Sequence, residues 1–172
     1  MTIAAALERR AFTSNSRAQL AAYSSWAPVV AYSGRLGSSK TRTVTEGPDY
    51  DCRMWPGNLV AVTRKKAVDL LSGTLDVFMT HVVPPHEHGY WRVSKEGGAA
   101  FLYPNGSVLR WFGVDNPGKA LSAEYGSIYV DQAEELDELE YKSLEGRLRT
   151  PACFVGASQF THRVREKRRF PC

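Results

Sequence analysis

The sequence predicts an α/β domain: a mainly parallel sheet flanked by helices, with a β-hairpin inserted in it. Three observations carry that prediction. An apolar run, Val29 to Tyr32, leads at once into a Gly/Ser-rich loop and then into "KTRTVTEG", which can start a helix. A second apolar run without polar alternation, Asn58 to Thr63, reads as a strand buried on both faces and is followed by a helical pattern. A third, "SIYVD", ends at Asp131 and precedes an amphipathic stretch. Strands alternating with helices point to a parallel sheet.

Taken in order, the first helical patches are "AALERRAF" and "SRAQLAAYSSW", and Pro28 introduces the buried strand "VVAY". After the Gly/Ser loop and its helix, "EGPDYDCRMWPG" reads as a connection, with Pro48, Pro56 and Gly57 as breakers. Behind the second strand, Val68, Leu71, Leu75, Phe78 and Met79 recur at helical spacing. Gly73 weakens that helix by about 1 kcal/mol relative to alanine. "PPHEHG" is a loop, and Asn105-Gly106 is a two-residue turn signal between the apolar strands of a hairpin. Past Asp131, Leu136, Leu139, Leu144 and Leu148 define the apolar side of a helix, and "ACFVGAS" offers one more strand.

A chain of 172 residues is about one domain and can bury a real core. Hydrophobic residues at 43% and charged residues at 23% are ordinary for a soluble globular protein. No apolar run approaches the roughly 20 residues that span a bilayer, and the N-terminus has too short an apolar run for a secretory signal. Cys52, Cys153 and Cys172 are odd in number, without the spacing of a zinc site, and read as reduced cytosolic thiols. The net charge of +4 is unevenly spread: Asp131 to Glu145 is acidic and "HRVREKRR", His162 to Arg169, is basic. The basic end fits either contact with nucleic acid or a solvated tail.

The chemistry concentrates in "SGRLGSSKT". A phosphate-binding loop wants Gly, four residues, then Gly-Lys-Ser/Thr; here Gly34, Arg35, Leu36, Gly37 and Ser38 are followed by Ser39, Lys40 and Thr41. Such a loop works because successive backbone N–H groups face phosphate oxygens beside a helix N-terminus. Lys40 would reach the β- and γ-phosphates, and the Thr41 hydroxyl would hold Mg²⁺. Serine in the second glycine's place limits backbone freedom. Downstream, Asp131 at the end of an apolar strand suits a Mg²⁺ shell; a helix-capping aspartate is the plainer reading, and both roles can coexist. The next residue is Gln132, which can orient water but cannot take a proton. Glu134 is an alternative carboxylate, and Glu135 reads as a first-turn helix acid.

Other candidates are weaker. Gln19 stands where an adenine-reading glutamine could sit, or is a surface residue. Arg64 reads as a solvated helix-end arginine more readily than as a phosphate or DNA contact. Arg35 could face the γ-phosphate or a neighbouring subunit. His81, His86 and His88 lack a helical metal-binding frame or a cysteine partner.

In that order, "SRAQLAAY", "VVAYSGRLGSSKTRT", "NLVAVTRKKAVDLLSGTLDVF", "LYPNGSVLRWFGVDNPGKALSAEYGSIYVDQAEEL" and "YKSLEGRLRT" resemble the ATPase half of a tailed-bacteriophage terminase large subunit, over about Arg17 to Thr150. The resemblance implies a P-loop NTPase fold of the RecA/ASCE-like kind over residues 1–150, with its core from about 17, and a divergent basic tail over 151–172. It implies ATP and Mg²⁺ as cofactors, Gln19 near adenine, Gly34 to Thr41 as the Walker A loop and Asp131 as the Walker B acid. Gln132 fills the place where the family's pattern has a catalytic glutamate. The family's motor moves double-stranded DNA into a procapsid as a ring on the portal, with a small subunit as partner, in the cytoplasm of the host or from a prophage. Its nuclease domain has no counterpart in these residues, so no DNA cleavage is expected of them. A generic P-loop translocase or helicase, and a catalytically silent remnant, are the alternatives.

Overall fold

The computed structural model describes residues 16–25, 29–34, 38–93, 99–115, 123–148 and 163–164, the last two as backbone alone. The patch "AALERRAF", the loop residues Arg35 and Gly37, the strand expected in "ACFVGAS" and the rest of the basic tail lie outside these residues. The chain is α/β, with a five-stranded mixed sheet in the order β3-β4-β5-β2-β6. Here β2 is Leu59–Arg64, β3 Trp91–Val93, β4 Ala99–Leu102, β5 Val108–Gly113 and β6 Ser127–Val130. Strands β5 and β6 flank β2 in parallel, while β4 pairs antiparallel with β3 on one side and with β5 on the other. The sheet is therefore half parallel rather than mainly so. The hairpin β4–β5 is no insertion, because its second strand is a parallel neighbour of the central one.

Residue alternation sorts the core into two layers, as strand pleating demands. Val60, Val62, Leu109, Trp111 and Tyr129 face one side, where helices α1 (Arg17–Ser24) and α2 (Lys40–Met54) and the helical run α3 (67–82) pack. Ala61, Phe112, Ile128 and Val130 face the other, against Leu144 of α4 (Glu138–Glu145) and Leu148. Phe78 of α3 packs edge-on to Phe101 at 5.5 Å and lies 5.1 Å from Trp111, which anchors α3 on the first layer. Among the described residues no helix is long and apolar enough to cross a membrane.

Several elements depart from the sequence expectation for physical reasons. Helix α2 does not stop before Pro48 but runs through it to Met54. Proline in a helix interior costs about 3 kcal/mol. Val44 and Cys52 are fully buried along this helix, and the carboxylates of Asp49 and Asp51 are held inside by hydrogen bonds; a fully buried apolar side chain contributes about 1.5–3 kcal/mol. Burial wins. Gly47 is needed because a Cβ there would lie 2.8 Å from the Tyr129 ring of β6.

The strand expected over Val29 to Tyr32 shrinks to β1, Val29–Val30, which pairs antiparallel with β7 (Arg163–Val164) outside the five-stranded sheet. Val29 is exposed rather than buried. The hairpin loop is longer than the two residues that Asn105-Gly106 suggested. Gly106 donates to the Tyr103 carbonyl and Tyr103 to the Ser107 carbonyl, with only Gly106 at positive φ. Pro104 explains this, since its fixed φ suits the first central position of a type I turn.

Run α3 is continuous from 67 to 82 but alternates geometry: Ala67–Asp69 and Leu75–Val77 are α-helical, Leu70–Thr74 and Phe78–Val82 π-helical. Its fully buried stripe is Leu70, Thr74, Phe78 and Val82; of the expected series Phe78 belongs to it, Leu71, Leu75 and Met79 pack partly buried on the same core, and Val68 is 76% exposed. Four residues of α-helix turn about 400°, so a spacing of four drifts around the axis. The wider π turns absorb that drift and keep the four residues in line. Likewise "PPHEHG" forms a 3₁₀ turn, Pro85–Tyr90. The helix expected straight after Asp131 begins only at Glu138, capped by a reciprocal Asp137–Glu140 box, and Leu139 is 77% exposed.

Where β2, β5 and β6 begin, the chain closes on itself. Arg53 is held by Asp49 (2.8 Å) and Glu87 (2.5 Å), all three side chains over nine-tenths buried, with the Tyr103 ring 5.5 Å away. Tyr103 donates to Asp49 at 2.8 Å. Burial pushes the Asp49 carboxyl above the usual carboxylate range, against the pull of Arg53. Nearby, Asp51 accepts from Ser127 (2.7 Å) and Tyr129 (2.8 Å).

Candidate functional site

The opposite edge of the sheet collects most of the residues singled out from the sequence. Helix α2 ends against the turn that enters β2, with Asn58 N–H donating to the Trp55 carbonyl, so it runs back antiparallel to β2. Gly47 rests on Tyr129. Lys40 is about 10 Å further along the helix, and Asp131 about 7 Å further along the strand direction. The start of α2 and the end of β6 therefore reach the same edge.

At the helix start, Ser39 lies in the left-handed region (φ 60°, ψ 25°) and its carbonyl accepts from Thr43 N–H at 3.0 Å. Lys40 folds back to donate to the Gly34 carbonyl at 2.5 Å. The buried Tyr32 hydroxyl donates to the Ser38 carbonyl at 3.2 Å. A Cβ on Gly34 would come within 2.5 Å of Ser38 Oγ, an oxygen that is buried with no hydrogen-bond partner among the described residues. Thr41 follows, half-buried, in the first turn of α2. The loop thus has a glycine packed closely on the Ser38 side chain, a buried hydroxyl oxygen and a lysine bridging its ends.

On β6, Asp131 is 6% exposed and continues the sheet by donating its N–H to the Thr63 carbonyl. It does not cap a helix. Its Oδ2 accepts from the buried Thr74 hydroxyl of α3 at 2.5 Å. Burial raises the Asp131 pKa above the usual carboxylate range, and the Thr74 bond, Arg64 and the Gln132 N–H oppose that rise. Gln132 is the second non-glycine residue at positive φ (φ 50°, ψ 57°). This kink turns the chain away from the sheet into the short 3₁₀ turn Ala133–Glu135, on which Glu134 is exposed.

Arg64 is the last residue of β2 rather than the start of a helix. It forks onto Glu135, with Nε and NH2 donating at 3.0 and 2.7 Å. Glu135 is therefore an ion-pair partner, and that pair keeps its carboxyl below the usual range. Gln19 is not a surface residue: it is fully buried, and its amide donates to Thr43 Oγ1 of α2. His88 Nε2 lies 3.0 Å from the Met79 carbonyl, and His81 and His86 are exposed. Among the described residues no three His, Cys, Asp or Glu side chains converge. Cys52 is buried, which pushes its thiol pKa up.

Sequence reasoning missed Thr74, Tyr32 and the Arg64–Glu135 pair. A threonine four residues from each of two buried apolar residues was a signal for the first. Comparison with protein-family models, with curated proteins and with solved structures finds no match for this chain.

Proposed function

We propose that this edge binds a nucleoside triphosphate with Mg²⁺ and hydrolyses it, as the ATPase module of a DNA-packaging motor of the terminase kind. One observation carries the reading. Among the described residues, the two non-glycine residues at positive φ, Ser39 and Gln132, occupy the second-glycine position of the phosphate loop and the position after the strand-end acid. Strained backbone of this sort costs about 1–3 kcal/mol and gathers at functional sites.

The donor chemistry fits the group. Thr41 and Asp131 supply hard oxygen ligands of the sort Mg²⁺ takes. The tight Gly34–Ser38 approach and the unpartnered Ser38 Oγ suit a loop that wraps an anion. Mg²⁺ held by these oxygens would supply neutralisation of the phosphate charge. Lys40 exchanges the Gly34 carbonyl for phosphate oxygens, and the first-turn amides of α2 face the same charge. Gln132 orients the attacking water through its amide, and Glu134, exposed two residues on, is the carboxylate proposed to take the proton. Gln19 steadies the first turns of α2 through Thr43, and the resemblance alone sets it near adenine. Double-stranded DNA, a portal and a ring of identical subunits are the partners that go with this reading.

A second reading is binding without turnover. It is favoured by Gln132, which takes no proton, and by Glu135, which is committed to Arg64. Phosphate release measured with and without double-stranded DNA separates the two. Release by the wild type that is lost in Lys40→Ala is the expected result. Release that survives Lys40→Ala removes the assignment. Nucleotide-dependent thermal stabilisation without release selects the silent reading.

A further inference from the structure

We propose that Thr74 is a positioning residue whose hydroxyl fixes the carboxylate of Asp131 for Mg²⁺, an inference that rests on the nucleotide reading above. Thr74 is 1% exposed and lies in a stripe that is otherwise Leu70, Phe78 and Val82, packed on the first layer of the core. Valine has the same shape and would suit that stripe without carrying a polar group into it, which is unfavourable unless the group is hydrogen-bonded. What the hydroxyl adds is its bond to Asp131 Oδ2, 57 residues away in sequence. The two π turns are the device that delivers it. Without them a spacing of four would rotate each member of the stripe by about 40° relative to the last, and Thr74 would leave the line of Leu70 and Phe78. A carboxylate turns broadly about its terminal torsion; a donor fixed on a buried helix removes that freedom.

The test compares wild type, Thr74→Val and Thr74→Ser. Polarisation of a fluorescent ATP analogue is read with EDTA and across a Mg²⁺ titration, and phosphate release is read in parallel. Thr74→Val is expected to bind nucleotide as wild type does in EDTA. It should need about tenfold more Mg²⁺ for half-maximal binding and lose about tenfold in kcat, the scale of one hydrogen bond to a charged group. Thr74→Ser should restore both. Wild-type Mg²⁺ dependence in Thr74→Val overturns the proposal, and so does equal impairment of Val and Ser, which would trace the effect to packing. If Thr74→Val does not fold, Thr74→Cys, a near-isostere with a weak donor, takes its place in the same comparison. Absence of Mg²⁺-dependent nucleotide binding in the wild type itself refutes the nucleotide reading, a result distinct from either outcome above.

Discussion

At one end of the sheet Arg53 is enclosed by Asp49, Glu87 and Tyr103, with both carboxylates bonded to its guanidinium. At the other, Ser39 and Gln132 hold left-handed backbone, burial raises the pKa of the Asp131 carboxyl, and the Ser38 hydroxyl oxygen is unpartnered among the described residues. The same helix, α2, serves both ends. Its C-terminal turns are fixed by ion pairs, and its N-terminal turn departs from a strained residue. The difference teaches where this fold secures itself and where it tolerates strain.

The largest effect is expected at the satisfied end. Arg53→Met leaves Asp49 and Glu87 buried with no cation between them, a defect of about 3–5 kcal/mol. Urea unfolding should show that loss, while nucleotide affinity per folded molecule stays within a few-fold of wild type. A joint loss of both would mean that the two ends are not separable.

Gly47→Ala acts between them. Its new methyl meets Tyr129, and overpacking of this kind costs about 1–3 kcal/mol. Because it pushes α2 off β6, nucleotide affinity should fall together with stability, unlike the Arg53 result. Ser39→Gly and Gln132→Gly sharpen the contrast from the strained end. Relief of left-handed strain, about 1–2 kcal/mol, less the flexibility that glycine adds, about 0.5–1 kcal/mol, should raise stability slightly in each. Alanine at either position should give no gain, and a thermal melt that ranked alanine above glycine would contradict the strain assignment.

The smallest effect is expected at Glu135. Its partly exposed pair with Arg64 is worth about 0.2–1 kcal/mol. Since the pair lowers the carboxyl pKa from its ordinary 4.5, that contribution is present above pH 4.5 and is lost as the pH falls through the folded-state value. The stability difference between wild type and Glu135→Gln should vanish on the same acid side.

Much of the sheet was legible because β2 and β6 are continuous apolar runs, and buried strands leave no other pattern. The phosphate-loop residues, Asp131 and Gln132 stood out by type and order. Pro48 misled because local propensity is weaker than the burial of Val44 and Cys52 on the same helix. The stripe of α3 misled because a period of 3.6 was sought where π turns impose four. The kink at Gln132 was hidden because glutamine carries no turn signal, so the run past Asp131 resembled one helix. Partnerships such as Gln19 with Thr43 and Thr74 with Asp131 join residues far apart in sequence, and no local pattern announces them.

Pro48 has one further consequence for α2. It has no N–H to give to the Val44 carbonyl, so the backbone ladder that joins Lys40 to Arg53 lacks a rung near its middle. Amide hydrogens on the two sides of that gap should report different local lifetimes. Those of Tyr50 to Met54 should exchange with solvent only on global unfolding, and those of Arg42 to Gly47 more readily and with sensitivity to whatever the phosphate loop holds. One helix would then carry two clocks, and the boundary between them would fall at a single imino acid.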